Sequence, residues 1–572
     1  MSRHQDSQTD RKREETQFTP YSAEAIAQQY RYKPWQLFGR AFVITWSLGL
    51  FLLSLLWDKW TKQEEANKYK RASELRQILT RLGPTFIKVG QALSTRPDLV
   101  RKDFLDELVK LQDQLPPFDN DIAFALIETE LGMSVEKAYR EISPTPVAAA
   151  SLGQVYKAIL PTGEEVAVKV QRPGLRALLS LDLYLMRWAA QKFGRLLPLN
   201  LGHDLTLIVD EFGTKLFEEI DYQNEGRNAE KFATNFQNNP EVKVPSIYWR
   251  YSGRRVLTLE WIDGYKLTDT ENIKALGLDP NSIVKIGVTS GLQQLLEHGF
   301  FHADPHPGNL FATFDGRMAY IDFGMMDQLE EETKETLASC VVDLINKDYE
   351  NLAANFVKLG FLTPETDIKP IIPALERVLG NAIGQRVGDF NFRTITDEFS
   401  ELMYQYPFRI PAKFALIIRS LVTQEGVALT LDPNFKIVQV AYPYVAKRLL
   451  TGESPQLRRR LLDVLFKDGK FQWQRLENMI TMARSESNFD LLPTAQLGIT
   501  FLLSEEGRYL RRQLLLALTE DDRLHTAEVQ RLWGLIQGEL QPRRLLDVAM
   551  SAFRELSSQG VAAVLPRETS SR

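Results

Sequence analysis

Asp304 stands five residues before Asn309, and Asp322 opens an Asp-Phe-Gly triplet thirteen residues further on, in the stretches HADPHPGN and IDFG. An acid and an amide at that step match the catalytic loop of phosphoryl-transfer enzymes, where the Asp accepts a hydroxyl proton and the Asn holds a metal ion. The chemistry accounts for the residue types. A phosphoryl group in transfer spreads negative charge over several oxygens. Mg²⁺ beside it takes hard oxygen ligands, here the Asp322 carboxylate and the Asn309 amide. His302 and His306, four apart, offer a zinc pair instead, but Pro305 and Pro307 break the helix face such a pair needs. A turn between two strands is the plain alternative, and three residue types at two matching spacings weigh against it.

Those residues need elements that hold them and a cation opposite. Gly299-Phe300-Phe301 and Met318-Ala319-Tyr320-Ile321 read as short buried segments that end at the acids. Upstream, the run Ala148, Ala149, Ala150, Ser151, Leu152, Gly153, Gln154, Val155 has the register of the kinase loop G-x-G-x-x-G-x-V, with alanine for the first two glycines. Across a Pro161-Thr162-Gly163 turn, Val166-Ala167-Val168-Lys169 matches the V-A-I-K strand, whose Lys holds the α- and β-phosphates. That ammonium needs a carboxylate on a following helix, and Glu219, Asp221 and Glu225 are the candidates. They lie some fifty residues past Lys169, so the helical stretch from about Pro173 to Pro198 reads as an insertion. The apolar strand Val256 to Ile262 runs into Asp263-Gly264 and suits a connector between lobes. Its backbone around Glu260 and Ile262 could meet an adenine edge; a core strand without a ligand is the alternative. After Gly324 no Ala-Pro-Glu segment follows, and Asp327-Gln-Leu-Glu-Glu-Glu starts a helix at once, so the usual peptide-docking segment is missing.

With 572 residues the chain is long enough for two or three cores, and its 44 % hydrophobic and 25 % charged content is that of a folded protein. A net charge of −5 argues against nucleic acid as a partner. The single cysteine, Cys340, excludes internal disulfides and cysteine metal sites and points to a reducing compartment. Residues 1–33 read as a disordered polar tail. Residues 34–60 form an apolar helix with seventeen uncharged residues from Ala41 to Trp57 and Trp35, Trp57 and Trp60 at its ends. A stripe of Gln36, Arg40, Ser47, Ser54 and Asp58 runs along it at helical period. Spanning a membrane, lying on one and packing in a core are all compatible with that pattern. Residues 61–143 read as a helical extension broken at Gly83-Pro84, Arg96-Pro97 and Pro116-Pro117; within it Lys88 and Gln91 share one helical face. The expected layout continues with an N-lobe (144–262), a C-lobe (263–450) and a helical C-terminal region (451–572).

Taken together, these motifs resemble the AarF/UbiB/ADCK family of atypical kinase-like proteins, from about Arg71 to Asp432. The marks are Lys88-x-Gly-Gln91, the Ala148 to Ser151 loop, Glu219-x-Asp221, and the set Asp304, Asn309 and Asp322. The lead-in Tyr30-Arg-Tyr-Lys-Pro-Trp resembles cyanobacterial and plastid members. The resemblance implies an α+β, bilobal protein-kinase-like fold with a helical N-terminal extension over the active site and a helical C-terminal tail. It implies ATP and Mg²⁺ as cofactors, ATPase activity, and a part in isoprenoid quinone or other prenyl-lipid metabolism at a membrane contacted through residues 34–60. It also pairs Lys169 with Glu225, and sets Lys88 and Gln91 against Glu219 and Asp221 to gate the site. A nucleotide-binding scaffold without turnover and a small-molecule phosphotransferase remain the alternatives. The intact lysine and metal set speaks against the first, the alanine loop and Lys-x-Gly-Gln extension against the second.

Overall fold

The Ser22 hydroxyl accepts the Ala25 N–H and caps α1 (Ala23–Tyr30). The structure, a computed structural model, describes residues 20–94, 100–111, 116–194, 205–305, 307–345, 347–383 and 410–432, with scattered positions from 406 to 477 and residue 530. The polar tail expected up to residue 33 therefore ends sooner. Ile26 and Tyr30, one helical turn apart, are buried in the same apolar cluster as Leu179, Leu183 and Phe217. Tyr30 also donates to the Ala177 carbonyl, and Tyr21 to Asp210. Two anchors on one helix face outweigh the polar composition around them.

Pro34 and Pro84 sit at the first turns of α2 (Pro34–Trp60) and α4 (Pro84–Leu93), where a missing N–H costs nothing. Between them α3 (Glu64–Leu82) ends at Gly83, whose φ of +98° suits glycine. Then come α5 (Lys102–Leu108), α6 (Asn120–Leu131) and α7 (Val135–Ala138). The break expected at Arg96-Pro97 lies outside the described residues.

The period then changes to two. β1 (Glu141–Ile142), β2 (Ala148–Ala149), β3 (Gly153–Ile159), β4 (Glu165–Gln171) and β6 (Val256–Glu260) build one antiparallel sheet in the order β1-β3-β4-β6, with β2 also on β3. Val166, Val168 and Val170 point to one face and bury against Tyr156, Ile127 and Tyr139. Lys169 stands on the other face. Between β4 and β6 lie α8 (Leu175–Phe193), α9 (Leu205–Glu219), α10 (Tyr222–Asn235) and β5 (Val242–Lys243), so the expected insertion is helical from Leu175. A second sheet has the order β5-β10-β9-β7, from β7 (Gly264–Lys266), β9 (Leu310–Thr313) and β10 (Met318–Tyr320), with β5 and β10 parallel. Before β9 come α11 (Thr270–Ala275), α12 (Pro280–Gln293) and β8 (Phe300–His302), whose three residues are all buried.

The chain divides into two compact units. The first comprises Met1–Ile286, His302–Asp327 and Arg409–Leu431; the second Gly287–Phe301, Gln328–Phe408 and Asp432–Arg572. The lobe boundaries expected at 262 and 450 are not those of this division, because the loops bearing Asp304, Asn309 and Asp322 pack with the N-terminal unit. The second unit contains α13 (Glu331–Ile345), α14 (Tyr349–Lys358) and α15 (Ile371–Ile383). The helix expected directly after Gly324 starts at Glu331, once the strand Met326–Gln328 has ended. α16 (Ala412–Leu431) belongs to the first unit. Most of region 451–572 lies outside the described residues; Phe466–Lys467 and Lys470–Phe471 pair there as a short hairpin.

Candidate active site

Lys169 is fixed by its strand register opposite Val155 and Leu257, in the middle of the first sheet. Its ammonium lies 2.7 and 2.9 Å from the two oxygens of Glu225 and 3.5 Å from Asp322. Glu225 sits in the first turn of α10, which Asp221 caps by accepting the Gln223 N–H. Of the three candidate carboxylates, Glu225 is thus the lysine's partner.

Asp322 is aimed by its neighbours. One oxygen accepts the Gly324 N–H at 2.9 Å, and its carbonyl lies 2.8 Å from Nε2 of His302. The buried His302 ring accepts the Asp304 N–H through Nδ1. Burial holds this imidazole below its ordinary pKa, in keeping with a neutral ring that donates through Nε2. With both nitrogens engaged, His302 joins two loop strands and is not available as a zinc ligand; His306 lies outside the described residues. Asn309 is tied to the same corner, since its carbonyl accepts the Ile321 N–H. Phe323 packs on Phe232 of α10 at 5.3 Å, and its carbonyl accepts from Asn228. One helix therefore carries Glu225 to the lysine and secures the Asp-Phe-Gly turn.

One lysine serves two carboxylates, the buried Glu225 and the half-buried Asp322, and they divide it unequally. Burial pushes both up. For Asp322, the Lys169 charge, the Gly324 N–H, His302 and Lys88 reverse this and hold it down at about 2. Glu225 is pushed up to about 7 by burial and by the nearby Asp322 charge, against the pull of Lys169. Burial disfavours the Lys169 charge, yet the two carboxylates raise the ammonium well above its usual value.

A cleft lined by Ala148 to Gly153, Val155, Lys169, Tyr222, Glu225, Asp304, Asn309 and Asp322 collects these groups. Ala148 and Ala149 pair with Val155 and Gln154, so the alanine loop is the tip of a β-hairpin. Arg172 closes it by donating to the Ala150 and Ser151 carbonyls. A Cβ on Gly153 would overlap the Tyr222 hydroxyl and the Val170 carbonyl. Glu260 and Ile262 do not line the cleft; the Glu260 carboxylate is held by Lys243 at 2.6 Å and by the Ser246 N–H.

Lys88 and Gln91 are no solvated face: both are buried, and Lys88 lines the cleft paired with Glu219. Gly90 lets α4 pack against α3, because a Cβ there would run into the Leu111 and Leu79 side chains. Asp221 caps α10, and Gln91 donates to the Leu111 carbonyl. Two residues escaped the sequence reading. Arg419 of α16 donates to Asp304 at 2.7 Å; its only signal was a lone cation in the apolar run Phe414-Ala-Leu-Ile-Ile-Arg-Ser-Leu-Val. Tyr222, directly after Asp221, is fully enclosed, and its hydroxyl has no hydrogen-bond partner among the described residues.

The profile described as "ABC1 atypical kinase-like domain" matches residues 110–356, and "UbiB helical domain" matches residues 375–436. Uncharacterized protein slr1919 of Synechocystis sp. is 74 % identical over 547 residues, covering 96 % of this chain and 97 % of that protein. ACTIVITY OF BC1 COMPLEX KINASE 1 of Arabidopsis thaliana, a chloroplastic protein by name, is 47 % identical over 537 residues, covering 91 % of this chain and 78 % of that one. Among solved structures, Rv3197 of Mycobacterium tuberculosis in complex with erythromycin aligns at 27 % identity and a TM-score of 0.45 over 66 % of this chain and 95 % of that one.

Proposed function

The chain belongs to the ABC1/UbiB family of atypical kinase-like proteins, and from that premise we propose that its cleft binds Mg²⁺-ATP and turns it over in support of prenyl-lipid or isoprenoid-quinone metabolism at a membrane. The observation that carries the reading is the Lys169 ammonium held between Glu225 and Asp322 beside the alanine hairpin. The cleft fits the nucleotide. Its unpartnered Tyr222 hydroxyl is a donor, and the raised pKa keeps it protonated. Lys169 would steady the α- and β-phosphates, and Asp322 and Asn309 would hold Mg²⁺. The ion, when bound, neutralises charge on phosphate oxygens. Asp304 would orient an attacking hydroxyl or water and take its proton. Arg419 keeps Asp304 in place, and His302 couples it to Asp322.

Lys88 on α4 lines the cleft and is paired with Glu219, which supports a covered site that turns over ATP alone or acts on a small lipid-like acceptor. Lipid contact through residues 34–60 is supported by the exposed Trp35, Trp46 and Trp57. The test is ATP turnover by the purified full chain, with and without liposomes and quinone-like phenols. Mg²⁺-dependent hydrolysis and little phosphorylation of generic proteins are expected. Robust phosphorylation of several unrelated proteins, absent in Asp322→Asn, would restore an ordinary protein kinase. Nucleotide binding without turnover under all conditions would make the chain a scaffold.

A further inference from the structure

Helix α2 has two unlike faces. Leu37, Arg40, Ile44, Leu48 and Phe51 recur every three or four residues and turn inward, and Asp58 follows two turns later on the same face. Arg40 grips the fully buried Asp182 of α8 through Nε and Nη2 at 2.7 and 2.8 Å, and also donates to the Leu82 carbonyl at the end of α3. Near the other end, Asp58 is 2 % exposed and accepts from Arg71 at 2.6 Å and Asn67 at 2.9 Å. Two members of the polar stripe, Arg40 and Asp58, thus bind the helix to its own unit. The outer face is bare: Trp35 is 86 % exposed, Phe38 71 %, Phe42 66 %, Trp46 60 %, Leu53 62 % and Trp57 59 %.

With 27 residues α2 is about 40 Å long, enough to cross a hydrocarbon core of about 30 Å, and its composition alone would allow that. Its neighbour does not. α3 runs antiparallel along the inner face, and eight of its 19 residues are charged. A hydrocarbon core does not accept such a helix. We infer that α2 lies flat in a membrane surface as a one-sided anchor: its outer face enters the boundary between headgroups and acyl chains, and α3 and α8 stay on the water side. The inference rests on the lipid contact proposed above and fixes its geometry. The flanks name the lipid. Arg31, Lys33, Lys59 and Lys62 are exposed at the two ends, which suits anionic headgroups. Asp182 also accepts the Thr85 hydroxyl of α4 at 2.6 Å, so the anchor and the helix of Lys88 share one buried carboxylate.

The test uses the full chain in a Cys340→Ser background with single cysteines (Trp35→Cys, Leu53→Cys, Trp60→Cys and, on the inner face, Leu48→Cys) carrying an environment-sensitive dye. Vesicles of phosphatidylcholine and phosphatidylglycerol carry quenchers at shallow or deep positions. The three outer sites should be quenched from the same shallow depth and the inner site not at all. Trp46→Glu and Leu53→Glu should weaken vesicle partitioning about tenfold or more, with the melting temperature and basal ATP turnover unchanged. Omitting phosphatidylglycerol should weaken it as well. A deep Leu53 site between ends on opposite leaflets would overturn the flat geometry while leaving lipid contact intact. Failure of the wild type to float with vesicles would remove lipid contact itself. A concentration-dependent dimer abolished by Trp46→Glu, without flotation, would assign the face to a second copy.

Discussion

Around Lys169 every charge has a counterpart: one ammonium faces two carboxylates, a histidine joins two loops, and an arginine holds the acid at Asp304. Along the outer face of α2 the reverse holds, with a row of tryptophan, phenylalanine and leucine side chains that the described residues leave open. The cleft is specified by atoms that must meet, so altering one residue changes the chemistry. The helix is specified by which side its neighbours occupy, so single changes there should act on location. The two regions meet at Asp182, which accepts from Arg40 of α2 and from Thr85 of α4, the helix whose Lys88 lines the cleft.

The sharpest way to break that contrast is Lys169→Met. It leaves the buried Glu225 and the half-buried Asp322 without their shared cation, so ATP turnover should fall at least about hundredfold. Stability, read by chemical denaturation, should fall as well, because Glu225 is left buried without its cation. Unchanged nucleotide affinity in this variant would move the phosphates elsewhere.

The unequal sharing of Lys169 has a pH signature. As pH falls through about 7, Glu225 takes a proton and loosens its hold on the ammonium, so turnover should show an acid limb there. The sign for stability is the opposite. Between the unfolded value near 4.5 and about 7, the folded state holds a proton that the unfolded chain releases, so this group's contribution to stability declines as pH rises. Glu225→Gln should flatten the limb in a pH–rate profile; an unaltered limb would assign it to another group.

Arg419 is a positioning residue in this account. Arg419→Gln should lower kcat about tenfold with KM for ATP nearly unchanged, and Arg419→Lys should restore part of it. A change in KM alone would place Arg419 at the nucleotide. The smallest effect is expected at the cover. Lys88→Ala leaves Glu219 without its cation and should change turnover or nucleotide affinity about two- to fivefold without abolishing either. Kinetics identical to wild type would show that α4 does not gate the cleft.

What the sequence disclosed follows the same division. Asp304, Asn309, Asp322, Lys169 and the alanine loop, which stand at the fixed steps that phosphoryl chemistry would need, line one cleft. Residue types and spacing narrowed the lysine's partner only to three carboxylates, and the family resemblance singled out Glu225; the physical reason for that choice is the turn at which Asp221 caps α10. Arg419 was hidden because it reaches Asp304 across 115 residues, with no spacing rule to connect them. The polar stripe of α2 was visible in the sequence, but its meaning depends on Asp182 and Arg71, which only the fold brings to it. α1 was missed because two buried side chains are too few to alter a composition average.

Calorimetry of ATP binding to wild type and Asp322→Asn in Mg²⁺ tests the central claim most directly. If Asp322 holds the metal at the nucleotide phosphates, the variant loses a charged oxygen ligand and its Mg²⁺-dependent affinity should disappear, while Asp304→Asn keeps that affinity and loses only rate. Equal affinities of wild type and Asp322→Asn would contradict the account.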